Sequence, residues 1–440
     1  MIQIITGIIA LGVVIFVHEL GHFIAARISG VTVETFSIGW GPVLLRKKIN
    51  DTEYRLSALP LGGYCGMKGE KAFAEALEKK LDAIPKEEKS FYGVHPFKRI
   101  FIAFSGPFFN LVFAVLALAV SSGIGYTYES YENRIIPSAV FETGAATPAF
   151  AAGFQEGDRI IKLGDTKVST FSDIQQYVAT RPGETFTAEL ERNGEVITTS
   201  ITPELDKKTG AGRIGIYPYV PLVVGKITPG SAAETAGLKP GDVITTINAT
   251  PVIHFMQISK FLESKPEQID LSYSRDGIEH PGTLVLIYNK NGVETGIAWK
   301  TIPVTVRGTG VFESLKNGVT GTWRTVRLTI KSIGLLFRGV DVTEAVSGPV
   351  RITMMIGEVA QSSFSGLAEL LSIICVSLFL MNLLPIPILD GGLILFALIE
   401  FVIRKPLKPK TMYYIQFIGI AFILGLFLLA LFGDIKYLIK

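Results

Sequence analysis

His18, Glu19 and His22, in the run His18-Glu19-Leu20-Gly21-His22, are spaced to grip a metal ion and activate a water beside it. Residues four apart share one face of a helix, so both imidazoles can be offered to one Zn²⁺. Glu19 follows His18 directly and can act as general base. The setting sharpens this reading. The motif lies in an apolar stretch over residues 2–28, long enough to cross a bilayer, where ionisable groups are expensive and mark function. Two histidines merely satisfied in a core would fit such surroundings poorly.

A zinc ion needs a third protein ligand. His95 precedes the second apolar stretch, and His254 and His280 fall in the polar middle of the chain. The best remaining candidate is Asp390, in Asn382-Leu383-Leu384-Pro385-Ile386-Pro387-Ile388-Leu389-Asp390-Gly391-Gly392. A lone carboxylate amid apolar residues requires a partner. Pro385 and Pro387 interrupt the helix and free backbone carbonyls, which a membrane tolerates only beside protein or a wet cavity. Both prolines are candidates for substrate contact. The alternative for Asp390 is a helix cap, with the helix beginning at Gly391.

These residues need a membrane scaffold, and the composition supplies one. The chain of 440 residues is 48% hydrophobic, with a mean hydropathy of +0.41. The excess is concentrated over 2–28, 99–125, 367–403 and 412–432, which predicts four transmembrane segments. The first segment lacks a basic leader and a small-residue cleavage site, so it is expected to be mature structure. Thirteen Lys and Arg lie between Arg27 and Arg99, and four more in Arg404-Lys405-Pro406-Leu407-Lys408-Pro409-Lys410. Short basic loops stay in the cytoplasm, so both termini and the long middle segment are expected on the opposite side. Charges that flank membrane segments exclude a nucleic-acid partner. Cys65 and Cys375 are too few for a disulfide framework or a cysteine zinc site.

The loop after the first span has strand character at 32–38, 43–47 and 53–58, with Gly39, Gly41, Gly62 and Gly63 at the bends. A hairpin there, dipping beside the metal, could pair with an unwound substrate by strand addition, which makes Gly39 and Gly41 candidate substrate contacts. An ordinary cytoplasmic hairpin is the alternative.

The middle segment is duplicated at an offset of 84 residues. Ala152-Gly153-Phe154-Gln155-Glu156-Gly157-Asp158 matches Ala236-Gly237-Leu238-Lys239-Pro240-Gly241-Asp242. Each copy predicts a strand pair, a short helix near 172–179 or 254–264, and a hairpin turning at Asn193-Gly194 or Asp276-Gly277. Residues 225–248 resemble the bacterial type of PDZ domain, and the earlier copy does so more loosely. That resemblance implies α+β domains that bind extended peptides, with Gly153, Phe154, Gly237 and Leu238 as candidate ligand-loop positions. Spacers or gates without a ligand are the alternative.

HELGH in the first span and N-x-x-P-x-x-x-x-D-G in the third together resemble the site-2 protease family of intramembrane metalloproteases, in particular its bacterial regulator-of-sigma-E protease group. Gly106-Pro107-Phe108-Phe109-Asn110 matches that family's G-P-x-x-N element. The resemblance implies one Zn²⁺ on His18, His22 and Asp390, Glu19 as catalytic glutamate, and Asn382 holding substrate backbone. Asn110 is either a substrate contact or a helix-packing hydrogen bond. It implies a multi-pass α-helical membrane protein with four transmembrane segments, two inserted PDZ-like domains and a membrane-associated β-hairpin, in the bacterial inner membrane. The implied partners are single-span membrane proteins, such as an anti-sigma factor after a first cleavage, remnant signal peptides, and the lipid bilayer.

The expected order is a first helix at 1–29, a cytoplasmic loop at 30–97 and a second helix at 98–125. PDZ-like domains follow at 126–220 and 221–308, then a connecting region at 309–366, the third transmembrane segment at 367–403 and the fourth at 411–433. Residues 310–339 have helical spacing with interleaved Lys and Arg, as for a helix lying flat at the outer interface or a plain connection.

Overall fold

The computed structural model describes residues 2–141, 146–207, 209–289, 292–336 and 348–439. The chain forms two compact units, residues 1–126 with 306–440, and residues 127–305.

The first unit is built on apolar helices. In chain order they are α1 (Ile2–Ser29), α2 (Glu70–Glu78), α3 (Pro96–Ile124), α4 (Val311–Leu336), α5 (Pro349–Ser362), α6 (Phe364–Asn382), α7 (Asp390–Ile403) and α8 (Pro409–Ile439). Four of them, α1, α3, α6 and α8, are long and apolar enough to cross a membrane. Lipid gives apolar side chains little reason to prefer one another, so such helices pack where small residues let backbones approach. The contacts follow that rule. A Cβ on Gly21 of α1 would strike the Ser105 carbonyl of α3, and one on Gly7 would strike Thr353 of α5. The Ser372 hydroxyl of α6 reaches the Ala114 carbonyl of α3 at 3.2 Å. At the far end of α8, the buried Asp434 carboxylate accepts from Gly348 N–H and Val350 N–H at 3.0 and 2.9 Å, closing the start of α5.

The expected third segment is two helices. Residues 383–389 break it between α6 and α7, yet both run the same way along α3: Ser372 meets Ala114, and Glu400 meets Arg99. The break has a backbone signature, because Ile388 sits at φ 92, a strained position for a β-branched residue. In the expected connecting region, residues 337–347 lie outside the described ones. Its helix α4 does not lie across the end of the bundle. It follows α3, with Ser314 beside Gly123, Gly318 against Val115 and Val326 in one cluster with Ala114. Asn317 Nδ2 donates to Ser122 Oγ at 2.9 Å, and Gly318 permits the close backbone approach.

Between α1 and α3, the strands β1 (Val33–Ile49) and β2 (Thr52–Met67) pair antiparallel. Both strands bend, so four runs lie side by side in the order 63–67, 33–38, 53–57 and 43–49. The run 63–67 was expected as a bend. It forms a strand because Gly63 brings the backbone against the Ser37 carbonyl, where a Cβ would lie 2.6 Å away.

The second unit carries the duplication as two four-stranded antiparallel sheets of the same order. One runs Thr166–Lys167, Arg159–Leu163, Phe186–Arg192 and Glu195–Ile201; the other runs Thr250–Pro251, Val243–Ile247, Gln268–Arg275 and Ile278–Val285. The helices Phe171–Ala179 and Phe255–Leu262 each cover one core. Asn193-Gly194 and Asp276-Gly277 turn the hairpins with positive φ at both residues.

The repeated A-G-hydrophobic run ends a short helix in each copy. Gly153 and Gly237 take φ 78 and 76 just past a short helix, and Phe154 N–H and Leu238 N–H return to the carbonyls of Ala149 and Ala233. This is a helix-ending motif whose next residue turns inward. Phe154 and Leu238 are accordingly each 4% exposed, inside the two cores, and are not available to line a peptide pocket. The aspartate that follows is structural too. Arg192 forks onto Asp158 at 2.7 and 2.8 Å, and Arg275 onto Asp242 at 2.7 Å twice. Each arginine also donates to the Gly153 or Gly237 carbonyl, tying strand to loop.

Burial alone would raise the Asp242 carboxyl, but the Arg275 fork and the Lys239 N–H outweigh it and hold it below the usual carboxylate range. A lowered folded-state value stabilises above the unfolded value near about 3.9 and is lost as pH falls through the folded one. Asp242→Asn in the full chain is therefore expected to lower the denaturation midpoint at pH 7. The gap from wild type should narrow in melts recorded below about pH 4.

Candidate metal centre

A 28-residue apolar helix carries His18 and His22 one turn apart on the same side of α1. Their Nε2 atoms face each other at 3.2 Å. Asp390, the first residue of α7, completes the group: Oδ2 lies 3.2 Å from His18 Nε2 and Oδ1 lies 3.3 Å from His22 Nε2. The helix begins at Asp390 with Leu389 as its cap residue, so Asp390 does not cap a helix starting at Gly391.

The protein holds both rings from behind. His22 Nδ1 donates to the Ile102 carbonyl of α3 at 2.9 Å, which leaves Nε2 as a bare acceptor. His18 Nδ1 lies 3.2 Å from the side-chain amide of Asn110, a residue with no exposed surface. As placed, Asn110 points its nitrogen at His18 and leaves Oδ1 without a partner. Amide O and N are told apart by their hydrogen bonds. With the amide turned over, Oδ1 accepts from His18 Nδ1–H and frees the second Nε2. Asn110 thus sits behind His18 as its ring partner, in the helix-packing place.

Two bare ring nitrogens and a carboxylate within contact distance repel unless a cation lies among them. Around a tetrahedral zinc with bonds of about 2.0–2.1 Å, ligand atoms stand about 3.3 Å apart. The two Nε2 atoms stand 3.2 Å apart, and each has its own oxygen of the Asp390 carboxylate at 3.2 or 3.3 Å, close to that spacing. Two imidazoles and a carboxylate are a suitable donor set for that ion, and three protein ligands leave its fourth position open.

Glycines make the approach possible. A Cβ on Gly106 would enter the His22 ring, and Cβ atoms on Gly391 and Gly392 would overlap the Leu384 and Ile386 carbonyls. The two glycines after Asp390 let residues 383–389 fold back on the start of α7. Glu19 lies on the other side of the strand edge: its carboxylate accepts from the Cys65 N–H, and its Cγ would be 3.4 Å from a Cβ on Gly63.

Of the other expected residues, Asn382 ends α6 half-buried and makes no side-chain hydrogen bond among the described residues. Pro385 is exposed, and Pro387 packs beneath Gly419 of α8. Gly39 and Gly41 form the kink of β1, with φ 88 and 86, over Ser57 and Leu59. Sequence reasoning missed the supports: the Ile102 carbonyl, the Cys65 N–H, the steric role of Gly106, and the ion pair of buried Arg99 with Glu400. Glu400 carried a signal, as one of two acids, with Glu369, left in the stretch 367–403 once Asp390 is assigned.

The sequence matches the description Peptidase family M50 over residues 6–426. A Treponema pallidum protein named as a zinc metalloprotease is 46% identical over the whole of both chains. The Regulator of sigma E protease of Haemophilus influenzae is 30% identical over 97% of each. Among solved structures, the PDZ domain of an SdrC-like protein from Listeria monocytogenes aligns with 19% of this chain and 90% of its own, at 20% identity and a TM-score of 0.17.

Two substitutions that touch no donor test the construction. Asn110→Leu removes the partner of His18, and zinc affinity is expected to fall about 10–100-fold in a chelator competition. Gly106→Val drives a side chain into the His22 ring and should abolish zinc retention on purification, with helix content by circular dichroism preserved.

Proposed function

The chain belongs to peptidase family M50 and is a zinc metalloprotease, and on that premise we propose that it cuts single-span membrane proteins within or near the bilayer, with His18, His22 and Asp390 holding the zinc and Glu19 as general base. The observation that carries the assignment is the convergence of His18 and His22 Nε2 with the Asp390 carboxylate, all within 4.8 Å of one another, with Glu19 on the same helix beside a strand edge.

When bound, zinc supplies Lewis acidity that eases deprotonation of water and polarises the scissile carbonyl. Glu19 takes the water's proton and returns it to the leaving nitrogen. The Cys65 N–H fixes the carboxylate for both transfers. Ile102 and Asn110 keep the imidazoles in the tautomer that faces the ion.

A peptide bond inside an α-helix is shielded, and in lipid each freed backbone group costs several kcal/mol unless a new partner appears. The run 63–67 answers this need. It is the outer strand of its sheet and its Cys65 N–H points at Glu19, so an unwound substrate segment can pair along it in reach of the base. Asn382, free of other side-chain bonds, is available to hold that segment. Membrane association of the hairpin is supported by its exposed Trp40, Leu44 and Leu45. An apolar cavity of about 610 Å³ between α1 and the sheet, lined by Phe16, Leu20, Phe23, Phe36 and Leu56, suits an apolar substrate stretch.

The basic loops favour a cytoplasmic α3 entry and α7 exit in a bacterial inner membrane, with residues 127–305 and both termini on the periplasmic side. The two repeated units there are tandem PDZ-like domains that exclude substrates with bulky outer domains. The name of the Haemophilus relative favours an anti-sigma factor, trimmed by a first cleavage, as one substrate class; remnant signal peptides are another.

Glu19→Gln is expected to keep its zinc and to lose cleavage of a single-span substrate by at least about 10³-fold, while trapping that substrate. Zinc retention with unchanged cleavage would overturn the assignment of the base. Deleting residues 127–305 should let the enzyme cut untrimmed substrates as readily as trimmed ones. Unchanged discrimination would exclude the filter.

A further inference from the structure

A second polar site lies where α3 begins and α7 ends. A cavity of about 710 Å³ opens between them, and its wall holds Arg99 and Glu400, each nearly nine-tenths or more buried. Arg99 Nη2 pairs with Glu400, whose Oε1 accepts from Leu407 N–H at 3.0 Å. Arg99 Nε is buried and without a partner among the described residues, so the guanidinium has a donor to spare beside the cavity that it lines.

The rest of the wall describes a fitting acceptor. Lys86, Arg404 and Lys405 line the cavity, are exposed at its mouth, and make no ion pair among the described residues. Glu400 is the one carboxylate in the wall, and Arg99 neutralises it. Three uncompensated cations remain around one unsatisfied donor, a composition suited to a phosphoryl group. The rim supplies the second half of a ligand. Phe97 and Phe401 meet edge to face at 4.7 Å, and both are exposed, with Val402 and Ile403, where α3 begins and α7 ends.

We propose that this cavity binds the phosphate headgroup of an anionic phospholipid, with Arg99, Lys86, Arg404 and Lys405 on the phosphate and the Phe97–Phe401 rim against the acyl chains. Basic pockets between transmembrane helices, with an apolar flank at headgroup depth, are suited to such lipids. A free phosphate would use the same cations and make no use of the rim. The site also bears on the metal centre: along α3, Ile102 and Gly106, which support His22, follow Arg99 by three and seven residues, and along α7 Glu400 lies ten residues from Asp390, about 15 Å at 1.5 Å per residue. The lipid would therefore brace the two helices that carry these groups. The proposal does not depend on the proteolytic reading.

The test uses the delipidated full chain in neutral detergent, with its thermal midpoint followed against phosphatidylglycerol, phosphatidylcholine or inorganic phosphate. Phosphatidylglycerol should raise the midpoint saturably and phosphatidylcholine should not. Each of Lys86→Gln, Arg404→Gln and Lys405→Gln should weaken the response roughly fivefold. The charge-matched change Arg46→Gln, on the hairpin, should leave it unaltered. Protection by millimolar phosphate, lost in the same three variants, would support the cavity as a phosphoryl site fed from solution and overturn the lipid as its occupant. Equal weakening by cavity and hairpin variants, or no preference for phosphatidylglycerol, would overturn the proposal altogether.

Discussion

Two imidazole nitrogens and a carboxylate brought together in an apolar setting are the constraint on which the first unit depends. Nδ1 of each ring is committed to the scaffold, so the two Nε2 lone pairs and the Asp390 carboxylate all face one point. Only a cation makes that arrangement favourable. The close helix contacts follow from it. Gly21 and Gly106 let α1 and α3 approach, and Gly391 and Gly392 let the broken span fold until Asp390 arrives. Each glycine gives up side-chain packing to permit an approach that a methyl group would block.

The broken span solves a second problem. A continuous helix through 367–403 would keep its backbone paired and could present Asp390 only at the azimuth fixed by 3.6 residues per turn. Interrupting it at Pro385 and Pro387 frees the aspartate from that geometry and leaves Asn382 at the end of α6 without a side-chain partner among the described residues. The strain at Ile388 is the local cost of the turn. The sheet on the other side meets the matching need, since its outer run sets a backbone N–H on Glu19.

In the second unit the repeated residues serve architecture. Phe154 and Leu238 read as surface loop positions in the sequence because they sit between glycines. The hydrogen-bond return to Ala149 and Ala233 turns them inward. Their aspartates are bound by arginines more than thirty residues away, from the end of the neighbouring strand in each sheet. A pattern repeated twice in a chain reports what the fold needs twice, and here that is a helix end and a buried fork.

The sequence by itself determined the reaction class and the four apolar helices, because both are written in local spacing: a four-residue histidine interval on a helix, and runs long enough for a bilayer. It also singled out Asp390, since a carboxylate in an apolar run is visible without coordinates. Tertiary structure alone decided what surrounds these groups. The Ile102 carbonyl and the Cys65 N–H are backbone atoms with no signature in side-chain type, and the Arg99–Glu400 pair joins residues 301 positions apart. The strand at 63–67 and the inward turn of Phe154 were hidden for the same reason. Long-range packing, and not local preference, fixes which way a glycine-flanked residue faces.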